Sequence, residues 1–168
     1  METPSRTAAD HQQVDGLEAW RGLIRTHSWI VRRVESALEA AHRLPLRGYE
    51  VLQQLAEQPN GRMRMRDLAE KVALTRSGLT RLVDRLEGEG LVERCSCAHD
   101  ARGAYACLTD QGRARLAQAR ATHLAVVQEH FLSRCTASEL TTLTSLWSRI
   151  LSAEPPRRPA GGLDPLRR

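Results

Sequence analysis

Two kinds of chemistry are written into residue type and spacing in the middle of this 168-residue chain. Over 75–87, Arg76, Ser77, Thr80, Arg81, Asp84 and Arg85 recur at helical spacing on one side. Leu79, Leu82, Val83 and Leu86 fall at i, i+3, i+4 and i+7 on the other. Such a helix is anchored by its apolar stripe and offers guanidinium and hydroxyl donors in front, as a helix lying in a DNA major groove must. The second chemistry is that of thiols. Cys95, Cys97 and Cys107 lie close together in sequence, with His99 among them. Three thiols and an imidazole can form a tetrahedral zinc site, and paired thiols can form a redox switch. C-x-C is not the C-x-x-C spacing common in structural zinc sites, however. Four cysteines in a cytosolic chain of this size do not make a disulfide framework either, so buried, inert cysteine without a metal is the plainer expectation. Catalysis has no support. No G-x-S-x-G, P-loop, H-E-x-x-H or dinucleotide fingerprint occurs, and the six histidines are scattered without a partnered acid. The expectation is a non-enzyme without a cofactor.

The elements around the charged helix fix what it presents. A shorter helix over 65–72 places Leu68, Ala69 and Val72 on one face, and Ala73-Leu74-Thr75 forms a turn. Helix, three-residue turn and helix is helix-turn-helix spacing. Thr75 sits at the N-cap, and Gly88 and Gly90 stop the second helix. Strand-like runs at 91–95 and 104–108 bracket a polar loop with Arg102 near its tip; a hairpin in that place is a wing. Residues 62–65 can add a minor third strand. The competing reading, a packed helical hairpin with a solvated charged face, does not account for this whole order of elements.

Composition agrees. The net charge is +5, and the pI of about 9.6 suits a polyanionic partner. Lys71 is the one lysine among 25 basic residues, so any single arginine is weak evidence. Aromatic residues are only 4%, so aliphatic side chains must fill the core, which favours helices. No apolar run is long enough to span a membrane. The polar start has no apolar stretch of the kind a secretory signal needs, and the expected location is the cytoplasm.

The flanks read as helices. Residues 1–14 are polar, an expected disordered segment. From Leu17, the residues Trp20, Ile24, His27, Val31, Val34, Leu38 and Ala41 follow in steps of three and four, with Leu23, Ile30 and Ala37 as a second stripe. A helix apolar on two sides packs on its own domain with one and on a partner subunit with the other; a core helix of a larger monomer is the alternative. Pro45 breaks the pattern, and Tyr49, Leu52, Leu55 and Ala56 form the next buried face. After Leu108, Thr109 caps a long helix to about residue 134. Thr136 and Glu139 then form a capping box for a last helix carrying Leu140, Leu143, Trp147 and Ile150. The tail 153–168, rich in proline, glycine and arginine, is expected to be disordered. The expected fold is thus mainly α with a small β-wing: a winged helix-turn-helix over 45–108 flanked by terminal dimerisation helices over 15–44 and 109–152.

With these residues in hand, the chain resembles the MarR family of transcriptional regulators. The matching stretches are LAEKVALTRSGLTRLVDRLEGEGLVER at 68–94, D-x-R at 100–102 and L-T-x-x-G at 108–112. The resemblance implies a homodimer that binds a pseudo-palindromic operator in double-stranded DNA, usually represses adjacent genes, and is often released by a small phenolic ligand or by oxidation. It carries Arg76, Ser77, Thr80 and Arg81 over as major-groove contacts. It makes Arg102 the wing arginine that enters the minor groove and Asp100 the residue that orients it; a narrow minor groove does attract a guanidinium. It also implies an effector crevice between the dimer helices and the winged domain, where Trp20, His27, Trp29 and Tyr49 are candidate liners. A urate-responsive subgroup is similar in its first-helix tryptophan and in the stretch His123–Phe131, but has aspartate where this chain has Glu50. A metal- or redox-sensing regulator using Cys95, Cys97, His99 and Cys107 is the alternative function, and a winged helix that binds only protein is another.

Overall fold

The computed structural model describes the backbone of residues 6–97 and 100–152 and the side chains of residues 16–95 and 104–152. The chain runs α1 (Arg6–His42), α2 (Leu46–Ala56), β1 (Arg62–Arg64), α3 (Met65–Lys71), α4 (Arg76–Gly88), β2 (Val92–Cys97), β3 (Asp100–Leu108), α5 (Asp110–His130), a 3-10 turn (Leu132–Arg134) and α6 (Ala137–Ser152). This is the mainly helical winged fold expected from the sequence.

The sheet is antiparallel in the order β1-β3-β2. The segment at 62–64 is therefore a genuine third strand, pairing Met63 with Ala106. The wing strand β3 starts at Asp100, four residues ahead of the expected 104. Helix α1 starts at Arg6 rather than near residue 15, so the part of the expected disordered segment that is described is helical. Its alanines and glutamines are good helix formers, and extending an existing helix costs far less than nucleating one.

The core is aliphatic, as the scarcity of aromatics requires. Leu38, Leu44, Val51, Leu52, Leu55, Leu68, Leu79, Val83, Leu86, Leu91 and Val92 are almost wholly buried, with Tyr49 the aromatic exception. Side chains tie the helix ends together. Glu35 accepts a hydrogen bond from the Leu46 backbone N–H at 3.0 Å, which satisfies a donor at the start of α2 that the helix itself cannot. Arg115 of α5 donates to the His42 carbonyl at 2.6 Å, holding the end of α1.

The first apolar stripe of α1 is buried only toward its C-terminal end. Val34 and Leu38 are buried, whereas Leu17, Trp20 and Ile24 stay exposed, as do Leu124 of α5 and Ile150 and Leu151 of α6. Helix α6 buries none of its residues. Its capping box forms as expected: Glu139 accepts from the Thr136 N–H at 2.7 Å, and Thr136 accepts from the Glu139 N–H at 3.3 Å.

Two expectations are corrected. Gly88 does not break α4 but is its last helical residue; Gly90, at φ +71°, is the one that takes the left-handed conformation. Cys95 and Cys107 are not inert thiols but are joined in a disulfide. Spacing alone could not show this, because their approach depends on strand register.

Candidate nucleic-acid interface and aromatic groove

The helix-turn-helix is built as its sequence dictates. Leu79, Val83 and Leu86 seat α4 in the core. Thr75 caps it, its hydroxyl accepting from the Gly78 N–H at 3.1 Å. Arg76, Ser77, Thr80, Arg81, Asp84 and Arg85 all stay exposed. Their charges are not equally available. Arg85 pairs with Glu89 at 3.0 Å. Arg94, reaching over from β2, pairs with Asp84 and, at 3.3 Å, with Glu87. The acidic groups of α4 are thus neutralised from the wing side, while Arg76 and Arg81 have no carboxylate partner among the described residues.

Between the starts of α3 and α4 and the wing lies a hollow of about 360 Å³, lined by Arg64, Arg66, Arg76, Leu79, Thr80 and Ala104. Arg64 donates to the Tyr105 hydroxyl at 2.7 Å with its guanidinium 5.6 Å from that ring. Arg66 lies 3.3 Å from Asp67. Three guanidinium groups and a hydroxyl on a concave surface suit a phosphodiester backbone. Arg64 and Arg66 were not singled out from the sequence. The R-x-R-x-R run at 62–66 was the available signal, blunted by arginine's abundance. Asp100 and Arg102 fall on β3, but their side chains lie outside the described residues.

The four aromatic candidates do not share one pocket. Trp20 is 58% exposed and His27 is exposed, both on the uncovered face of α1. Tyr49 is buried and stacks on His123, ring centres 5.0 Å apart. Burial raises the Tyr49 pKa against the opposing charge of Arg120, with a smaller upward push from Glu57. Burial also lowers the His123 pKa, with Glu50 opposing, and His123 Nδ1 is buried without a hydrogen-bond partner among the described residues. Trp29 sits further along, with Arg33 4.5 Å over its ring and His130 edge-on at 5.1 Å. These three line a groove of about 430 Å³ between α1 and α5, together with Arg32, Ser36 and Val126. Arg32 and Arg33 were missed in the sequence, although Arg33 lies one helical turn beyond Trp29; His130 was noted only within the stretch His123–Phe131. Glu50 is bound to Arg47 at 2.7 Å.

The zinc alternative loses two ligands here, since Cys95 and Cys107 are bonded to each other. The Cys97 side chain and His99 lie outside the described residues, and no three His, Cys, Asp or Glu side chains converge among those described. No described helix is long and apolar enough to cross a membrane.

Comparison with known proteins agrees with this geometry. The model of the MarR family matches residues 44–103. The homoprotocatechuate degradative operon repressor of Escherichia coli is 30% identical over 111 residues, covering 66% of this chain and 73% of the relative. The crystal structure of Sco3205, a MarR family transcriptional regulator from Streptomyces coelicolor in complex with DNA, superposes with a TM-score of 0.77. It is 30% identical and is matched over 83% of this chain and 92% of its own. CouR from Rhodococcus jostii, bound to p-coumaroyl-CoA, superposes with a TM-score of 0.68 at 27% identity, over 79% of this chain and 90% of its own. Members of this family are regulators rather than enzymes. A capped, arginine-faced second helix, a three-stranded wing and these relatives lead to one conclusion: the chain belongs to the MarR family and is a DNA-binding transcriptional regulator.

Proposed function

We propose that the chain is a cytoplasmic homodimeric repressor that holds a pseudo-palindromic operator and is released by a small aromatic acid. The observation that carries the dimer is the uncovered apolar surface of the terminal helices. Leu17, Trp20, Ile24, Leu124, Ile150 and Leu151 are about half exposed or more, and no residue of α6 is fully buried. A second copy covers this surface, so that residues 15–44 and 109–152 form the dimer module and residues 45–108 the reading head. Each head lays α4 in the major groove, with Arg76, Ser77, Thr80 and Arg81 toward bases and phosphates and Arg102 of the wing, steadied by Asp100, toward the minor groove. Two heads then read half-sites about 34–36 Å apart.

The groove at Trp29 supports the choice of ligand. An aromatic face flanked by Arg32, Arg33 and His130 offers stacking to a ring and charge-assisted hydrogen bonds to a carboxylate. One relative is named for the degradation of homoprotocatechuate, an aromatic acid, and a second is bound to p-coumaroyl-CoA, which shares the phenolic ring but carries it as a thioester. Trp20 and His27 belong to the dimer face in this reading, and Tyr49, stacked on His123, lies outside the lining of the groove.

The test is a titration of the protein against its own upstream DNA at two salt concentrations, with its mass measured in solution. A dimer with salt-dependent, sequence-specific binding that hydroxylated aromatic acids relieve is expected. A monomer, or binding that no aromatic acid relieves, would remove the corresponding part of the proposal. Absence of specific binding would move a protein partner to the front.

A further inference from the structure

The outward face of the sheet places a chemically reactive pair beside the reading surface. In the strand register, Cys107 stands opposite Arg62 on one side and Glu93 on the other, and Tyr105 stands opposite Arg64 and Cys95. The alternate residues Met63, Ala106, Val92 and Leu108 are buried, so the cysteines lie on the solvent side of the pleat. Arg62, Arg64 and Glu93 are exposed around them, and the cysteines themselves are half-buried. They are joined diagonally across the strands with Cα atoms 6.2 Å apart, a separation that a disulfide spans.

The position of this bond along the wing gives it leverage. Pairing is regular from Val92 to Cys95 and is then interrupted, the next pair being Cys97 with Asp100. The bond therefore closes the last regular part of the hairpin and encloses the segment that carries Asp100 and Arg102. Tyr105, next to both cysteines in the register, accepts a hydrogen bond from Arg64, which lines the hollow beside Arg76 and Thr80. The cysteine pair is thus joined to the arginine hollow through Tyr105 and Arg64.

We propose that Cys95 and Cys107 form a reversible dithiol–disulfide couple that sets how firmly the wing is held, and with it the affinity for DNA. This rests on the wing's proposed contact with the operator. Closure gives up two protons and two electrons. With a disulfide of the glutathione class, one cysteine thiolate attacks and expels one thiol, leaving a mixed disulfide. The second cysteine then attacks that protein sulfur and expels the other thiol. With hydrogen peroxide, one thiol becomes a sulfenic acid with release of water, and the second thiol displaces another water from it. A cross-link lowers the conformational entropy of the chain it closes, so the disulfide form binds more tightly, by about tenfold.

The test uses full-length protein equilibrated in glutathione buffers of graded ratio. One portion is alkylated and peptide-mapped, and the other is titrated against the upstream DNA. Alkylation of Cys95 and Cys107 is expected to vanish together while Cys97 and Cys135 stay labelled, and operator affinity to rise about tenfold over the same transition. The Cys95→Ser, Cys107→Ser double variant should bind at the reduced affinity in every buffer. The proposal fails, with the regulator reading intact, if the pair never oxidises, if Cys97 takes the place of either partner, or if both forms bind the operator equally. Absence of specific binding in both forms would overturn the operator reading and this proposal together.

Discussion

Replacing Gly112 by alanine should destabilise the protein, although the same change favours a helix almost everywhere else. Gly112 lies in the first turn of α5, where its N–H donates to the capping Thr109 hydroxyl at 2.9 Å. That hydroxyl donates in turn to the Gly90 carbonyl at 2.7 Å. A Cβ on Gly112 would fall 2.0 Å from the Leu91 carbonyl oxygen and 2.7 Å from a Leu108 methyl. The first distance is a full ångström inside the closest approach Cβ atoms make, and the obstacle is backbone, which cannot rotate away. Overpacking of this kind costs about 1–3 kcal/mol or somewhat more, and loosening the Thr109 cap adds about 1 kcal/mol. Alanine's helix propensity returns about 1 kcal/mol. The net is a loss of about 1–3 kcal/mol, or a fall in Tm of about 2–12 °C for a chain of this size. The control is Gly88→Ala. Gly88 ends α4 with nothing within 4 Å of its would-be Cβ, so alanine there should stabilise by about 0.5–1 kcal/mol. Urea and thermal unfolding of both variants at one protein concentration give the comparison. A Gly112→Ala protein as stable as the parent would refute the close-approach argument, and equal shifts for the two variants would refute the use of local space to decide sign.

Other expectations concern the reading surface and the titrating groups. Arg76→Ala or Arg81→Ala should cost about 1–3 kcal/mol of operator binding if the side chain is bidentate to a base; a uniform loss on all DNA with a shallower salt slope would mark a phosphate contact instead. Arg102→Ala should weaken operator binding while leaving the unfolding midpoint in place, and unchanged affinity would count against the wing. Thr75→Ala removes the cap of α4 and should lower stability by about 1 kcal/mol, read by denaturant titration. Burial lowers the His123 pKa from 6.5, so the unfolded chain takes up its proton first. Stability should therefore decline as pH falls from about 6.5 toward the lowered value, and His123→Phe should flatten that slope in pH-dependent melting curves.

What the sequence made legible was short-range. The stripe Leu79, Val83, Leu86, the cap at Thr75 and the capping box at Thr136 are periodic or local signals, and each forms as its spacing requires. The disulfide was illegible because Cys95 meets Cys107 only through a register with an irregularity just beyond it. The stacking of Tyr49 on His123 was illegible for a related reason: it joins α2 to α5 across more than seventy residues. The first-helix stripe was read correctly as a pattern, yet Leu17, Trp20 and Ile24 at its N-terminal end stay about half exposed among the described residues, since periodicity reports an apolar face without saying what covers it. The roles of Gly88 and Gly90 were merged because both follow the same helix, and only the backbone angles separate them.

The placement of the tryptophans has a practical consequence. All three, Trp20, Trp29 and Trp147, lie on α1 and α6, whereas the reading head carries only the tyrosines Tyr49 and Tyr105. The molecule is thus optically divided, with indole emission arising only from the terminal helices. Operator DNA touching a wing or a recognition helix has no direct means of altering that emission. A change in tryptophan fluorescence on adding DNA would therefore be a signal carried from the heads into the terminal helices. Its amplitude across a ligand titration would follow the coupling between operator and effector in the native chain, without an attached dye.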